Sequence, residues 1–379
     1  MATKRGKKWL REKCLRRIRR VKTRFLVMNE EKFTILVSCN APSLYPCEIF
    51  FGVLYCSEDV YISLPRLSPA KGEWGKVLTI QFLLEDEYPM PRFLDLVYLS
   101  IVERKFYSVE YELPHSEMER LWREQAQKGK DAAFGHIVVG MAPYGKVAVW
   151  FSGMKKEVLV DWIEAEEIEV EMAEFMPHDP VLTLDEVCDS YINNDSSVKI
   201  NLVNNGLPPR QLFNKYMQQF MYRYLPIFDK WNDEKKEWNT AEESNSAIEA
   251  DYIEESLFDG TYDKLRDGGL TRYHQAGKPR RLALSWHEGR SEFAAYFWFD
   301  DERLCAVFDK FYGAHRDTRT DFIIRVDAAA RKYELALFRY GLKEPVVIPE
   351  EAYQLLVFKN RFEDFRSPNY DQPRGAWIW

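Results

Sequence analysis

Along most of the chain apolar residues recur at every second position, and only a few stretches shift to helical spacing. Phe33–Val37 is apolar and β-branched, Asn40 to Ser43 breaks it, and Glu48–Tyr55 resumes it, so both read as strands. Pro65 to Gly75 is a loop rich in proline and glycine, and Lys76–Leu84 reads as a further strand. Leu94–Val102 and Lys105–Leu113 form a hairpin that turns Tyr107, Val109, Tyr111 and Leu113 onto one face. Pro114 opens a helix to about Gln127 with Met118, Leu121 and Trp122 on its buried side. Phe134–Gly140 and Lys146–Ser152 are strands joined by a tight turn at Ala142–Gly145.

The second half repeats this order. Arg281–Glu288 and Ser291–Phe299 are strands, and Asp300 or Asp301 caps a helix with the core stripe Leu304, Phe308 and Phe311. Gly313 ends that helix, and Asp321–Val326 with Tyr333–Phe338 make the final hairpin. Pro91-Arg92 matches Pro279-Arg280 at an offset of 188 residues. The same offset pairs Phe134 with Phe322, Gly153 with Gly341, Lys155 with Lys343 and Val158 with Val346. The sequence therefore predicts an α+β fold of two related domains, each an antiparallel sheet with a packed helix, produced by internal duplication.

Between the repeats, Pro208-Pro209 opens an amphipathic helix with Leu212, Tyr216, Phe220 and Tyr224 four residues apart, stopped by Pro226. Residues 229–267 hold thirteen acids and five bases and read as a flexible acidic insertion. The expected organisation is a basic arm over 1–30, a first domain over 31–176, a linker helix and insertion over 177–267, and a second domain over 268–379.

Charge sharpens this division. Residues 1–24 carry twelve Lys or Arg and one acid, so the remaining 355 residues carry −18 of the net −7. Leu15, Ile18 and Phe25 give the arm helical spacing, and a helix docked on the acidic body is expected. Nucleic acid or an anionic membrane surface are its other readings, through residues 4–24. The basic stretch lacks the apolar run of a signal peptide, no apolar stretch of about 18 residues occurs, and a cytoplasmic location is expected.

Catalytic signatures are missing from the sequence. There is no phosphate loop, no dinucleotide fingerprint, no nucleophile elbow and no zincin motif. The cysteines at 14, 39, 47, 56, 188 and 305 form no CxxC pair, and the six histidines show no ligand spacing. A Cys305–His287 pair is open to distant assembly, but Cys305 lies beside a core stripe, where packing is the expected role. Six glutamates between Glu164 and Glu174 read as a solvated face. Neither a metal nor a cofactor is called for.

Three stretches resemble a known family. Asn40–Ile49 is similar to an APxxYPVEV opening, Phe106–Pro114 to an FYxGEFELP strand, and Phe134–Gly153 to a YDxIxVGxAPGGxVxVWLSG hairpin. Together they resemble the bacterial domain-of-unknown-function 2931 family, and they are turns and strands rather than chemistry. Members are often lipoproteins, and some lie beside type VI secretion effectors as immunity proteins. The resemblance therefore implies a non-enzymatic protein that binds and neutralises a cognate toxin. This chain departs from the pattern in lacking a lipoprotein signal, which implies a toxin acting in the cytosol or at the inner face of the membrane. For such a partner the candidate contacts are Asp233, Glu234, Glu237, Glu242 and Glu243 of the insertion, with Arg374, Trp377 and Trp379 of the tail.

Overall fold

The computed structural model describes residues 31–57, 59–66, 69–78, 87–239, 248–327 and 332–359. The basic arm, Glu242, Glu243, Arg374, Trp377 and Trp379 lie outside them. The chain divides into two compact units between Arg210 and Gln211.

In the first unit β1 (Lys32–Thr34) pairs with β5 (Glu87–Pro89) as a short ribbon. One sheet has the order β11-β7-β6-β3-β4, from β3 (Cys47–Tyr55), β4 (Tyr61–Ser63), β6 (Phe93–Ser100), β7 (Lys105–Glu112) and β11 (Glu166–Ile168). The other has the order β2-β8-β9-β10, from β2 (Leu36–Asn40), β8 (Phe134–Ala142), β9 (Lys146–Gly153) and β10 (Glu157–Glu164). Among the described strands all pairings are antiparallel except β2 with β8. Helix α1 (His115–Ala126) buries Met118 and Trp122 against a core that includes Val37, Leu96, Ile137 and Val149. Helices α2 (Met172–Phe175), α3 (Leu184–Asn194) and α4 (Ser196–Asn205) follow. Thr183 starts α3 with a reciprocal capping box to Glu186, satisfying two otherwise orphaned amides.

The second unit uses the same strand order. Its sheets run β16-β15-β18-β19-β23 and β17-β12-β20-β21-β22. The strands are β12 (Phe220–Phe228), β15 (Ala250–Leu257), β16 (Tyr262–Arg266), β17 (His274–Ala276), β18 (Pro279–Glu288), β19 (Ser291–Phe299), β20 (Thr320–Asp327), β21 (Lys332–Arg339), β22 (Val346–Val347) and β23 (Tyr353–Lys359). Again a single pairing among the described strands is parallel, β12 with β20. Asp300 caps α6 (Asp301–Tyr312) by accepting from the Arg303 amide, and Leu304, Phe308 and Phe311 are buried. The fold is α+β, with mostly antiparallel sheets and few helices.

The structure corrects five readings of the sequence. The expected helix from Pro208 is only α5 (Leu212–Tyr216), and the chain then becomes β12. A spacing of four fits a strand as well as a helix, and the buried Tyr222 between Phe220 and Tyr224 is the period-two signal that decides it. Pro226 is tolerated because β17 pairs only with Phe220–Tyr222, which leaves the later part of β12 without a partner on that side in its sheet. Secondly, the later part of the expected insertion is sheet: β15 pairs with both β16 and β18, and Glu254, Glu255 and Asp259 are buried. Thirdly, Lys76–Leu78 are not in a strand, and residues 79–84 lie outside the described ones. Fourthly, β7, α1, β8 and β9 each begin 186 residues before their counterparts β19, α6, β20 and β21. The β18–β19 turn, Gly289-Arg290, is two residues shorter than the turn at 101–104, so a register of 188 before it becomes 186 after it. The "final" hairpin is followed by β22 and β23.

Gly140 shows how tightly the first unit is packed. A Cβ there would lie 2.6 Å from Cη2 of Trp150 and 3.0 Å from Cη2 of Trp74, two rings that meet edge to face at 4.8 Å. Gly140→Ala is expected to destabilise by about 1–3 kcal/mol through overpacking. Gly135→Ala, in the same strand with nothing within 4 Å, is expected to change little. Urea midpoints of the two variants check this.

Candidate functional site

Among the described residues a group of titratable side chains converges in the second unit, around the inward faces of β12, β15 and β17. The Tyr224 hydroxyl donates to Glu255 Oε2 at 2.6 Å, and the Tyr222 hydroxyl to the Gly277 carbonyl at 2.7 Å. Gln219 Nε2 donates to Asp259 Oδ2 at 2.8 Å, and the Thr261 amide to Asp259 Oδ1 at 2.9 Å. Burial pushes both phenols well up and the Asp259 carboxyl up, so the tyrosines are neutral hydrogen-bond donors rather than nucleophiles. Lys278 is fully buried, and its ammonium donates to the Lys215 carbonyl at 2.6 Å and to Gln218 Oε1 at 3.0 Å, closing the end of α5. These bonds tie strands and turns together, and each has its acceptor in place.

The Cys305–His287 pair weighed for nucleophilic chemistry finds other surroundings. Cys305 is buried on α6, where desolvation pushes its thiol up to about 11. His287 Nδ1 instead meets Asp251 Oδ2 at 2.7 Å. Ser285 Oγ donates to the same carboxylate oxygen at 3.3 Å, so the hydroxyl faces an acid and not the imidazole a triad requires. The five described cysteines are free and buried. Among the described residues no group of three His, Cys, Asp or Glu is placed to hold a metal ion.

A different feature stands out when the two units are compared. The turn from β2 to β3 takes residues 41–46, whereas the corresponding connection from β12 to β15 takes residues 229–249. The scaffold closes this corner in six residues, so the longer path is not needed for folding, and loops added to a working scaffold are where recognition is concentrated. The added path contains a small hairpin, β13 (Trp231–Asn232) with β14 (Glu237–Trp238). Its base is fixed by the Trp231 amide on Asp327 Oδ2 at 2.8 Å and by Arg325 Nε against Asp229 Oδ2 at 3.3 Å. The Asn232 side chain accepts from the amides of Glu234 and Lys235, and Lys236 takes a φ of 56°, which together turn the chain.

The hairpin carries a paired indole platform. Trp231 and Trp238 meet edge to face at 5.3 Å, with Lys332 over the first ring at 5.2 Å and Arg325 over the second at 5.5 Å. Both indoles are partly exposed. Three of the expected contacts, Asp233, Glu234 and Glu237, sit on this hairpin and are exposed. They flank Lys235 and Lys236, and Asp233 is held by Lys236 Nζ at 2.7 Å, so the tip is mixed in charge rather than uniformly acidic. Beside the base, Phe228, Asp229, Ile248, Glu288 and Asp327 line a cleft enclosing about 10 Å³, room for a single water. Sequence reasoning picked the acids and missed Trp231 and Trp238. Their signal was a matched pair of tryptophans flanking an Asn-Asp-Glu-Lys-Lys turn.

His274 supplies a pH test of the buried cluster. Burial works against its imidazolium, but the Glu255 carboxylate, 3.8 Å from Nε2, and the Arg272 carbonyl, 3.2 Å from Nδ1, outweigh it and hold the pKa above the ordinary value. A raised histidine pKa stabilises the fold fully below the unfolded value of about 6.5 and loses that contribution as pH rises through the folded value. The urea midpoint is therefore expected to fall as pH rises from about 6, and His274→Gln to flatten that slope.

The comparisons with known proteins bear on the first unit. No curated protein and no solved structure matches the chain. Residues 22–200 match a family described as protein of unknown function (DUF2931). The three sequence stretches that resemble it are the β2–β3 corner, strand β7 and the β8–β9 hairpin, all structural parts of that unit. In the last of these the Glu103 carboxylate accepts from the Tyr107 hydroxyl and from the Tyr144 amide, fixing a turn in which Tyr144 and Gly145 both take positive φ. Through residues 22–200 the chain belongs to this DUF2931 family of proteins of unknown function.

Proposed function

We propose that the protein acts by occupying the surface of a partner protein, without turnover of its own, and that the partner is a cognate secreted toxin of the type VI class. The observation that carries the reading is the β13–β14 hairpin, which sits on a connection that the first unit makes in six residues. It presents two tryptophans and the exposed acids Glu234 and Glu237 on a base fixed by an ion pair and a backbone hydrogen bond. Tryptophan anchors ringed by charged groups are the composition of energetic centres at protein interfaces. A partner with a basic mouth would be complementary to the acids, and the opposed charges would speed association. The immunity role is supported by the family's setting beside secreted toxins. A cytosolic site of action is in keeping with five free cysteines. Among the described residues no helix is long and apolar enough to cross a membrane.

We further infer that the second unit is a duplicate of the first. The shared strand order, the single parallel pairing in each and the common spacing of 186 residues support this. On that reading the hairpin is an addition made to one copy after duplication.

The test combines Asp233→Lys, Glu234→Lys and Glu237→Lys in the full chain. Affinity for the toxin encoded beside this chain's gene is expected to fall by about tenfold or more, with a flatter dependence on salt. All three side chains are exposed, so the melting temperature is expected to stay within about 2 °C. Unchanged affinity would remove the hairpin from the interface, and turnover of a small substrate by the protein alone would overturn the reading.

A further inference from the structure

Strand β23 (Tyr353–Lys359) forms one edge of its sheet, and among the described strands it pairs with β19 alone. The ladder runs from Tyr353 opposite Phe299 to Lys359 opposite Phe293. An edge strand turns every second N–H and C=O pair away from its neighbour, so β23 offers a row of backbone donors and acceptors. Side chains anchor it along its length. The Tyr353 ring meets Phe297 at 5.7 Å, Phe358 meets Tyr296 at 5.5 Å, and Lys359 lies over Phe293 at 5.5 Å. The edge is apolar: Leu356 is 41% and Val357 40% exposed.

Exposed strand edges invite pairing with another chain, and proteins blunt them by shortness, charge or a covering segment. Several edges of this protein carry such devices. Strands β4, β11 and β17 have three residues and β22 has two. β11, which lies beside β7 as β23 lies beside β19, exposes Glu166 and Glu167. Along β2 the Ser38 hydroxyl accepts from the Leu78 amide, and Asn40 Nδ2 donates to the Glu73 and Lys76 carbonyls. β23 differs from all of these. It has seven residues, no proline, and a single charge at its last position.

A strand edge recognises an extended strand, and β23 is suited to its own copy. Leu356 is its midpoint, so a two-fold axis there gives an antiparallel pair in which all seven residues find a partner. Leu356 then stands opposite Leu356, Leu355 opposite Val357, Gln354 opposite Phe358 and Tyr353 opposite Lys359. The central pairs are apolar on both faces, which favours cross-strand packing. The two lysines lie at opposite ends, each facing a tyrosine ring, and no like charges meet.

We propose that β23 is a dimerisation edge, pairing antiparallel with β23 of a second copy about a two-fold axis at Leu356. The pairing makes one continuous sheet of the two copies' β16-β15-β18-β19-β23 sheets. Seven residues a side is well below the roughly 20–30 of a standard interface, so the dimer is weak, with a dissociation constant on the order of 100 µM.

Cysteine substitutions in the full chain test the register. Opposed residues of an antiparallel pair have Cα atoms about 4.5–5.5 Å apart, within reach of a disulfide. The two copies of Gln354 would lie about 13 Å apart along the strands, beyond that reach. Under mild oxidation Leu356→Cys is expected to give about tenfold more disulfide-linked dimer than Gln354→Cys, an exposed residue on the same face. Yields are counted above that of the unsubstituted chain, whose five described cysteines are buried. Equal yields, or no dimer from either, would overturn the proposal. Sedimentation equilibrium is the second measurement. The unsubstituted chain is expected to associate reversibly. Leu356→Lys, which sets two like charges face to face, is expected to be monomeric with an unchanged far-ultraviolet spectrum. An unsubstituted chain still monomeric at about 300 µM overturns the proposal, as does a dimer of folded Leu356→Lys. If Leu356→Lys does not fold, the cysteine pair decides. Slowed amide exchange in β23 only when a toxin is added would give the edge to that partner and overturn the dimer.

Discussion

Each unit depends on one non-local contact, the parallel pairing of its first long strand with the strand that follows its helix. In the first unit Leu36 lies beside His136, and in the second Tyr222 lies beside Thr320. Most other strand pairs join close neighbours through short turns and need little loop closure. The parallel pair must bring together residues about a hundred apart before it gains anything, a closure cost that rises only slowly with length. Once made, it places the helix connection on one side, as a parallel crossover demands. It also sets β2 and β12 where their alternate residues enter the core, Val37 and Cys39 in one and Tyr222 and Tyr224 in the other.

The candidate hairpin inherits its position from that contact. Because β12 pairs with β20 as far as Phe228 and Val326, the chain leaves β12 beside Asp327 and Arg325. Those two side chains then receive the Trp231 amide and the Asp229 carboxylate. A loop rooted on a strand end in this way presents its side chains at a defined place, which lowers the ordering cost of binding. The hairpin lies outside residues 22–200, so it is independent of the family relationship.

The many aromatic residues have two distinct uses. In the first unit Trp122, Phe134 and Phe151 interlock beneath α1 with ring centroids 5.0 to 5.8 Å apart, and this is core packing. In the second unit Tyr222 and Tyr224 carry hydroxyls into the interior and find acceptors there, so their burial costs little. The acids of residues 250–263 follow the same logic. Glu254, Glu255 and Asp259 were expected in solvent, and they are buried because Lys264, Tyr224 and Gln219 meet them.

The sequence by itself determined what rests on neighbours in the chain. Alternation placed β6, β7, β8, β9, β18, β19, β20 and β21, and capping residues placed α1 and α6, since these signals act within a few residues. It also supplied the repeated order of elements and the three stretches that mark the family. Only the tertiary structure decided the rest. The stretch Phe220–Tyr224 fits a helix and a strand equally in spacing, and pairing with β20 a hundred residues later chose the strand. Composition made residues 229–267 look like a solvated insertion, because charge predicts exposure only when no partner is brought in from elsewhere. The tryptophan platform was hidden for the same reason. Trp231 and Trp238 are seven residues apart, and only the β13–β14 turn, anchored on β20, sets their rings together.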